Sequence, residues 1–278
     1  MSANTPSAYK GFNLETGDRI LFFLKVGIVA LVFLTFGVGA TAILAAAACA
    51  AMAYEWFYMT TSGRRFDEPL VGIVLAAGAV PPFTTFAVGA AGGAAVAFLG
   101  GAFLLMMGPR DNGLLVKSAL GIVVIGIAGV CFVWMRDHPE HGLALTAWLI
   151  FVVAATEIGT GFYDRNLAAR DGGDTAGQST LPMGPVFSIA CGLIAGIVAA
   201  IFYREGSLFW VILMSVLVAL IVYLTGELTR RMGNPDEDAP PGSLLLGRGA
   251  VIENFDGLVW ASIFAGTVMM VFGALYGW

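Results

Sequence analysis

Nine apolar stretches divide this chain, at about 20–37, 38–57, 70–88, 91–107, 117–135, 143–163, 185–203, 208–226 and 256–276. A helix crosses a hydrocarbon core of roughly 30 Å with about 20 residues, so each stretch is long enough to span a bilayer. The charged share is 12%, about half of what a soluble domain carries on its surface. No strand-length run alternates with period two, which argues against an outer-membrane barrel. The expected fold is all-α: a polytopic integral membrane helical bundle of about nine transmembrane helices, eight to ten, in a single membrane domain over 1–278. The first two stretches run together and are too long for one crossing, so the break is placed at Gly37 and Gly39. A second short break is expected at 89–93.

The basic residues set an orientation. With the N-terminus in the cytoplasm, the inner side receives Lys10, Arg19, Arg64, Arg65, Arg110, Lys117, Arg165, Arg170, Arg230, Arg231 and Arg248, eleven of the fourteen. Lys25 lies toward the inner end of the first stretch, leaving Arg136 and Arg204 outside. The positive-inside rule favours that arrangement, with a bacterial inner (cell) membrane as the expected location. It places a polar N-terminal segment, 1–19, and two long polar loops, 164–184 and 227–255, on the cytoplasmic face. No basic run exceeds two residues, so nucleic acid is not an expected partner. Cys49, Cys131 and Cys191 fall far apart inside apolar stretches and read as small buried hydrophobes. No cleaved signal peptide is expected, because the run from Leu21 to Tyr54 is too long and has no basic segment before it.

Glycine occurs 37 times, often in small-xxx-small pairs such as Gly89 and Gly93. "GAAGGAAVAFLGG" lacks the Lys and Ser/Thr of a phosphate-cradling loop and reads as close helix packing. The acids are more informative, because an ionisable group inside a spanning helix costs several kcal/mol unless it is paired, hydrated or metal-bound. Glu55 ends the second stretch in "AYEWFYM", Glu157 lies within the sixth in "VVAATEIGTGFYDRNL", and Glu227 ends the eighth in "YLTGELTRR". Glu253 and Asp256 stand at the mouth of the last, in "LLGRGAVIENFDGLVW". All are expected toward the cytoplasmic side, where they could share one polar cavity. On a helix, positions 253 and 256 share a face, and two such oxygen donors suit Mg2+. Asp256 alone could instead cap the final helix, which it is expected to open. Gly159 and Gly161 thin the helix beside Glu157 for a neighbour or a ligand. "RDHPEHG" carries both histidines, His138 and His141, and reads as a solvated connector on the outer side.

"LGRGAVIENFD" resembles the C-terminal signature of the phosphatidate cytidylyltransferases, the CDP-diacylglycerol synthases, P-G-H-G-G-x-x-D-R-x-D. Gly247, Gly249 and Asp256 match, and Glu253 stands for the first Asp. Arg230 and Arg231 fall where the family has K-R, "AYEWFYM" is similar to its early E-W, and "AATEIGTGFYDRNL" to its A-x-D-x-G-A-Y-x-x-G-R. The chain departs from the pattern at Arg248 (for His), Ala250 (for Gly) and Asn254 (for Arg). The lysine of the family's K-D pair is missing. Of the family's S-P-x-K-T-x-E-G segment, "GGDTAGQSTLPMGP" keeps only Ser179, Thr180 and Pro182. The resemblance implies transfer of a cytidylyl group from CTP to phosphatidate in phospholipid biosynthesis. It implies Mg2+ held by the catalytic acids Asp256, Glu253 and Glu157, and phosphates met by Arg248, Arg230 and Arg231. Gly247, Gly249, Glu227, Ser179 and Thr180 join the expected substrate site. CTP, phosphatidate and membrane lipids are the expected partners, and a homodimer is left open. A transporter with an acid-lined path and a catalytically inactive relative stand as alternatives.

Overall fold

Two glycines turn the chain where its sequence gives no polar loop. Gly37 and Gly89 have φ of 100° and 90°, a backbone state that side chains with a Cβ resist. They separate the first two pairs of helices with the shortest possible turns. The computed structural model describes residues 16–60, 68–107, 112–170, 183–203, 208–232 and 250–276. Among them run α1 (Thr16–Thr35), α2 (Val38–Thr60), α3 (Glu68–Val88), α4 (Ala90–Met107) and α5 (Asn112–Arg136). These are followed by α6 (Gly142–Arg170), α7 (Met183–Tyr203), α8 (Leu208–Met232) and α9 (Ala250–Tyr276). No strand occurs among the described residues.

Seven of these helices, α2 to α8, are long and apolar enough to cross a membrane. The described parts of α1 and α9 contribute shorter apolar helices, Lys25–Thr35 and Phe255–Val271. Both glycine turns satisfy their own backbone: Gly37 N–H donates to Leu34 C=O, Thr41 N–H to Gly37 C=O, and Gly89 N–H to Thr85 C=O. Such closure lets a turn lie in surroundings without water. Phe36 and Val88 beside them point outward, 78% and 69% exposed.

The helices outrun the apolar stretches that announced them. The expected loop 164–184 begins as helix, since α6 continues to Arg170, and the loop 227–255 is helical at both margins, to Met232 and from Ala250. Hydropathy marks where the chain leaves hydrocarbon; polar residues with good helix propensity prolong the helix beyond it. The polar segment 1–19 likewise gives way to helix at Thr16.

α2 and α5 form the hub. Ala53, Phe57, Val74, Leu104 and Ile122 join them to α3 and α4 in one core. Leu34, Val133, Leu149, Val152, Val218 and Ala261 tie α1, α5, α6, α8 and α9 in another. Since lipid is as apolar as the core, close van der Waals contact does the holding. A methyl built on Gly78 would lie 2.6 Å from Cys49 O, and one on Gly129 would lie 2.7 Å from both Cys49 Sγ and Pro82 Cγ. The "GAAGGAAVAFLGG" run is part of α4, where Gly93 and Gly101 press against α3 and α5. It is packing, not a phosphate loop. Cys49 and Cys131 are buried, Cys191 partly so, and all three are free thiols.

Because φ near 100° strains any residue with a Cβ, Gly37→Ala should lower stability by about 1–2 kcal/mol. Gly72→Ala, at a helical position with open space around it, should be neutral or stabilising. Thermal unfolding of the two purified variants in detergent checks the contrast.

Candidate functional site

The placement of Glu157 follows from how α6 meets α7. Gly159 brings the helices so close that a methyl there would lie 3.1 Å from Cys191 Sγ and from Ser188 Cα. On the same face, Thr160 Oγ1 of the next residue donates to Ser188 Oγ at 2.9 Å, and Gly192 of α7 fits against Thr156, one turn earlier. Residues two apart on a helix differ by about 200° around its axis. Glu157 therefore faces the other way, toward α9. Gly161, expected to serve the same thinning, has open space around it.

On α9 the receiving residue is Gly257. A side chain beginning there would meet Glu157 Oε1 at 2.8 Å and Val222 Cγ1 of α8 at 2.9 Å. Three helices thus converge on the residue that follows Asp256. Asp256 is buried, and its Oδ1 accepts the Gly257 N–H at 2.6 Å. α9 starts six residues earlier, at Ala250, which corrects the expectation that Asp256 opens the helix and could cap it. Glu253 and Asp256 lie one turn apart inside a continuous helix, so the backbone gives them a common face. The Glu253 side chain itself lies outside the described residues.

Further contacts define this end of the bundle. Glu55 of α2 is only 1% exposed. Its helical neighbours Met52 and Met59 pack in one cluster with Phe255 and Val259 of α9. Trp56 next to it donates its indole N–H to Lys117 C=O at 3.1 Å, and Thr60 Oγ1 lies 2.5 Å from Ser118 Oγ. The second half of α2 and the middle of α6 therefore lie near the first halves of α5 and α9. Glu227, partly buried, falls five residues past Val222 on α8, about 7.5 Å further along.

The opposite end has different chemistry. Arg136, last residue of α5, donates from Nη2 and Nε to Leu34 C=O at 2.8 and 3.2 Å, closing the end of α1. His138 and His141 stack beside it with ring centres 5.6 Å apart, and His141 Nε2 lies 3.7 Å from Glu140. About 22 Å of α6 separates them from Glu157. The histidines belong to a connector and not to the acids.

Of the expected site residues, then, Glu157 lies against Gly257, the residue that follows Asp256, with Glu227 toward the same end. Arg230 and Arg231 lie on the last turn of α8, but their side chains are outside the described residues, as are Arg248, Gly247, Gly249, Ser179 and Thr180. No group of three His, Cys, Asp or Glu able to hold a metal occurs among the described residues. Carboxylates such as Glu157 and Asp256 are the kind of ligand Mg2+ takes, one or two from a protein with water and phosphate completing its shell. Gly257 was the residue sequence reasoning passed over. A glycine inside a helix, directly after an intramembrane acid, is the signal that marks it. No protein-family model matches the chain, and no curated protein matches it either.

Gly257→Ala should displace the Glu157 carboxylate. Overpacking of this kind costs about 1–3 kcal/mol, so a lower unfolding temperature than wild type is expected. Glu157→Ala introduced into that variant should recover part of the loss, and a two-mutation thermal-unfolding cycle measures it.

Proposed function

We propose that the chain is a membrane-bound cytidylyltransferase that makes CDP-diacylglycerol from phosphatidate and CTP. The observation that supports this most is the approach of Glu157 Oε1 to Gly257, the residue after Asp256, which brings the two segments of the motif resemblance side by side. In this reading nine helices cross a bacterial cell membrane, with the N-terminus and the acids on the cytoplasmic side.

Both reactants are polyanions, so the site must neutralise charge and align attacker with leaving group. A phosphate oxygen of phosphatidate forms a bond to the α-phosphorus of CTP, and the bond from that phosphorus to the β-phosphate bridging oxygen breaks. Pyrophosphate leaves with the electron pair. The attacking oxygen is already ionised, so no nucleophilic side chain is needed. Asp256, Glu157 and Glu253 are the residues that would hold Mg2+, which when bound withdraws charge from the phosphates. Arg248, Arg230 and Arg231 complement the phosphate oxygens, and the glycines at 247 and 249 let backbone N–H groups approach them. The gathering of described intramembrane acids at one end of the bundle weighs against a transport path, which needs polar groups through the membrane's depth.

Purified protein incubated with labelled CTP, phosphatidate and Mg2+ should form labelled CDP-diacylglycerol. Asp256→Asn should abolish formation, and Glu157→Gln should lower it by about a hundredfold or more. Glu253→Asp, which keeps the carboxylate and shortens its reach, should keep or raise the rate. Product formation untouched by Asp256→Asn overturns the assignment.

A further inference from the structure

An apolar cavity of about 410 Å3 is lined by residues of α1, α2, α5, α6 and α9. Its width comes from missing side chains: Ala45, Ala48 and Ala51 of α2 form one wall, Gly129 and Ala154 contribute others, and Phe255 closes one end. It extends from Ala51 to Leu44 along α2 and from Phe255 to Ser262 along α9, about 10 Å in each case. Lys25 of α1 is the one charged residue of its described lining, and it is exposed.

Lys25 lies twelve residues before the Gly37 turn, about 18 Å down α1, and Glu157 lies about 22 Å down α6 from the same end of the bundle. The cavity reaches Ala154, one turn from Glu157, and Phe255, the residue before Asp256. Its charged rim, Glu157 and Asp256 are thus at similar depth. Water does not fill an apolar void, and an empty one forfeits dispersion contacts on every wall. In a bilayer the filler at hand is a hydrocarbon tail. An ammonium group partway along a spanning helix calls for an anion, and its stem allows the charge to reach toward the headgroup level.

We propose that this cavity seats one acyl chain of a phosphatidate-type lipid, with Lys25 meeting the headgroup phosphate. Seating the tail there delivers the phosphate to the level of Asp256 and Glu157. The lipid's part as acceptor rests on the cytidylyltransferase reading; its binding does not.

The experiment uses the full chain in nanodiscs and a phosphatidate carrying a photoreactive diazirine in one acyl chain, with adducts mapped by peptide mass spectrometry. Adducts are expected on the α2 segment 44–52 and on 255–262. Ala48→Phe, which fills the cavity, should remove them without lowering the unfolding temperature. Lys25→Gln should weaken phosphatidate binding about tenfold, Lys25→Arg should restore it, and CTP binding should not change. Diacylglycerol, with tails and no phosphate, and glycerol 3-phosphate, with phosphate and no tails, should each compete poorly. Adducts confined to other helices, or undiminished by Ala48→Phe, overturn the proposal, as does unchanged phosphatidate affinity in Lys25→Gln. Adducts at 44–52 without turnover of CTP uphold the cavity and overturn the enzyme reading. Turnover with no adduct there does the reverse.

Discussion

A carboxylate at bilayer depth needs somewhere to be, and here the place is made by an atom that is absent. Glu157 Oε1 occupies the volume that a Cβ on Gly257 would claim, with Val222 closing the other side. That contact fixes the spacing of α6, α8 and α9 at one end of the molecule. It also fixes Asp256, whose carboxylate accepts the Gly257 N–H. Without a hydrophobic force between helices in lipid, such close approaches are what set helix positions. The geometry of the acids and the packing of three helices are therefore one feature.

The α2–α5 hub carries the same logic to the rest of the bundle. Gly78, Gly121 and Gly129 bring neighbouring backbones and side chains within contact of Cys49 and Trp56. The rotation of α2 that this demands turns its alanines toward α1, and the space they leave becomes the cavity. Polar fastening is divided between the ends: Trp56 to Lys117 and Thr60 to Ser118 at one, Arg136 to Leu34 at the other. Among the described residues, the buried or half-buried acids Glu55, Glu157, Glu227 and Asp256 lie toward the first end.

The helices were legible because each is a long apolar run, and even the cut at Gly37 could be read, since no single crossing accommodates the uninterrupted stretch. Their ends were not, because hydropathy falls at the membrane surface while the backbone keeps its helical hydrogen bonds, as α6 does to Arg170. The six-residue error at the start of α9 made Asp256 look like a cap. Spacing put Glu253 and Asp256 on one face, but it could not say that Glu157 would lie against Gly257. That depends on Gly159 turning the opposite face of α6 to α7. The cavity was invisible for a related reason: a run of alanines states that space is available and not which neighbour leaves it open.

The turns at Gly37 and Gly89 bear on how such a chain reaches its final place. The first consists of Phe36 and Gly37 and the second of Gly89 alone, and in both the glycine's amide and carbonyl groups are already engaged. Neither tip therefore brings an unengaged glycine amide or carbonyl into the lipid. Nothing charged has to be dragged through the hydrocarbon at either tip, and the work of translocation is left to the segments that carry polar connectors.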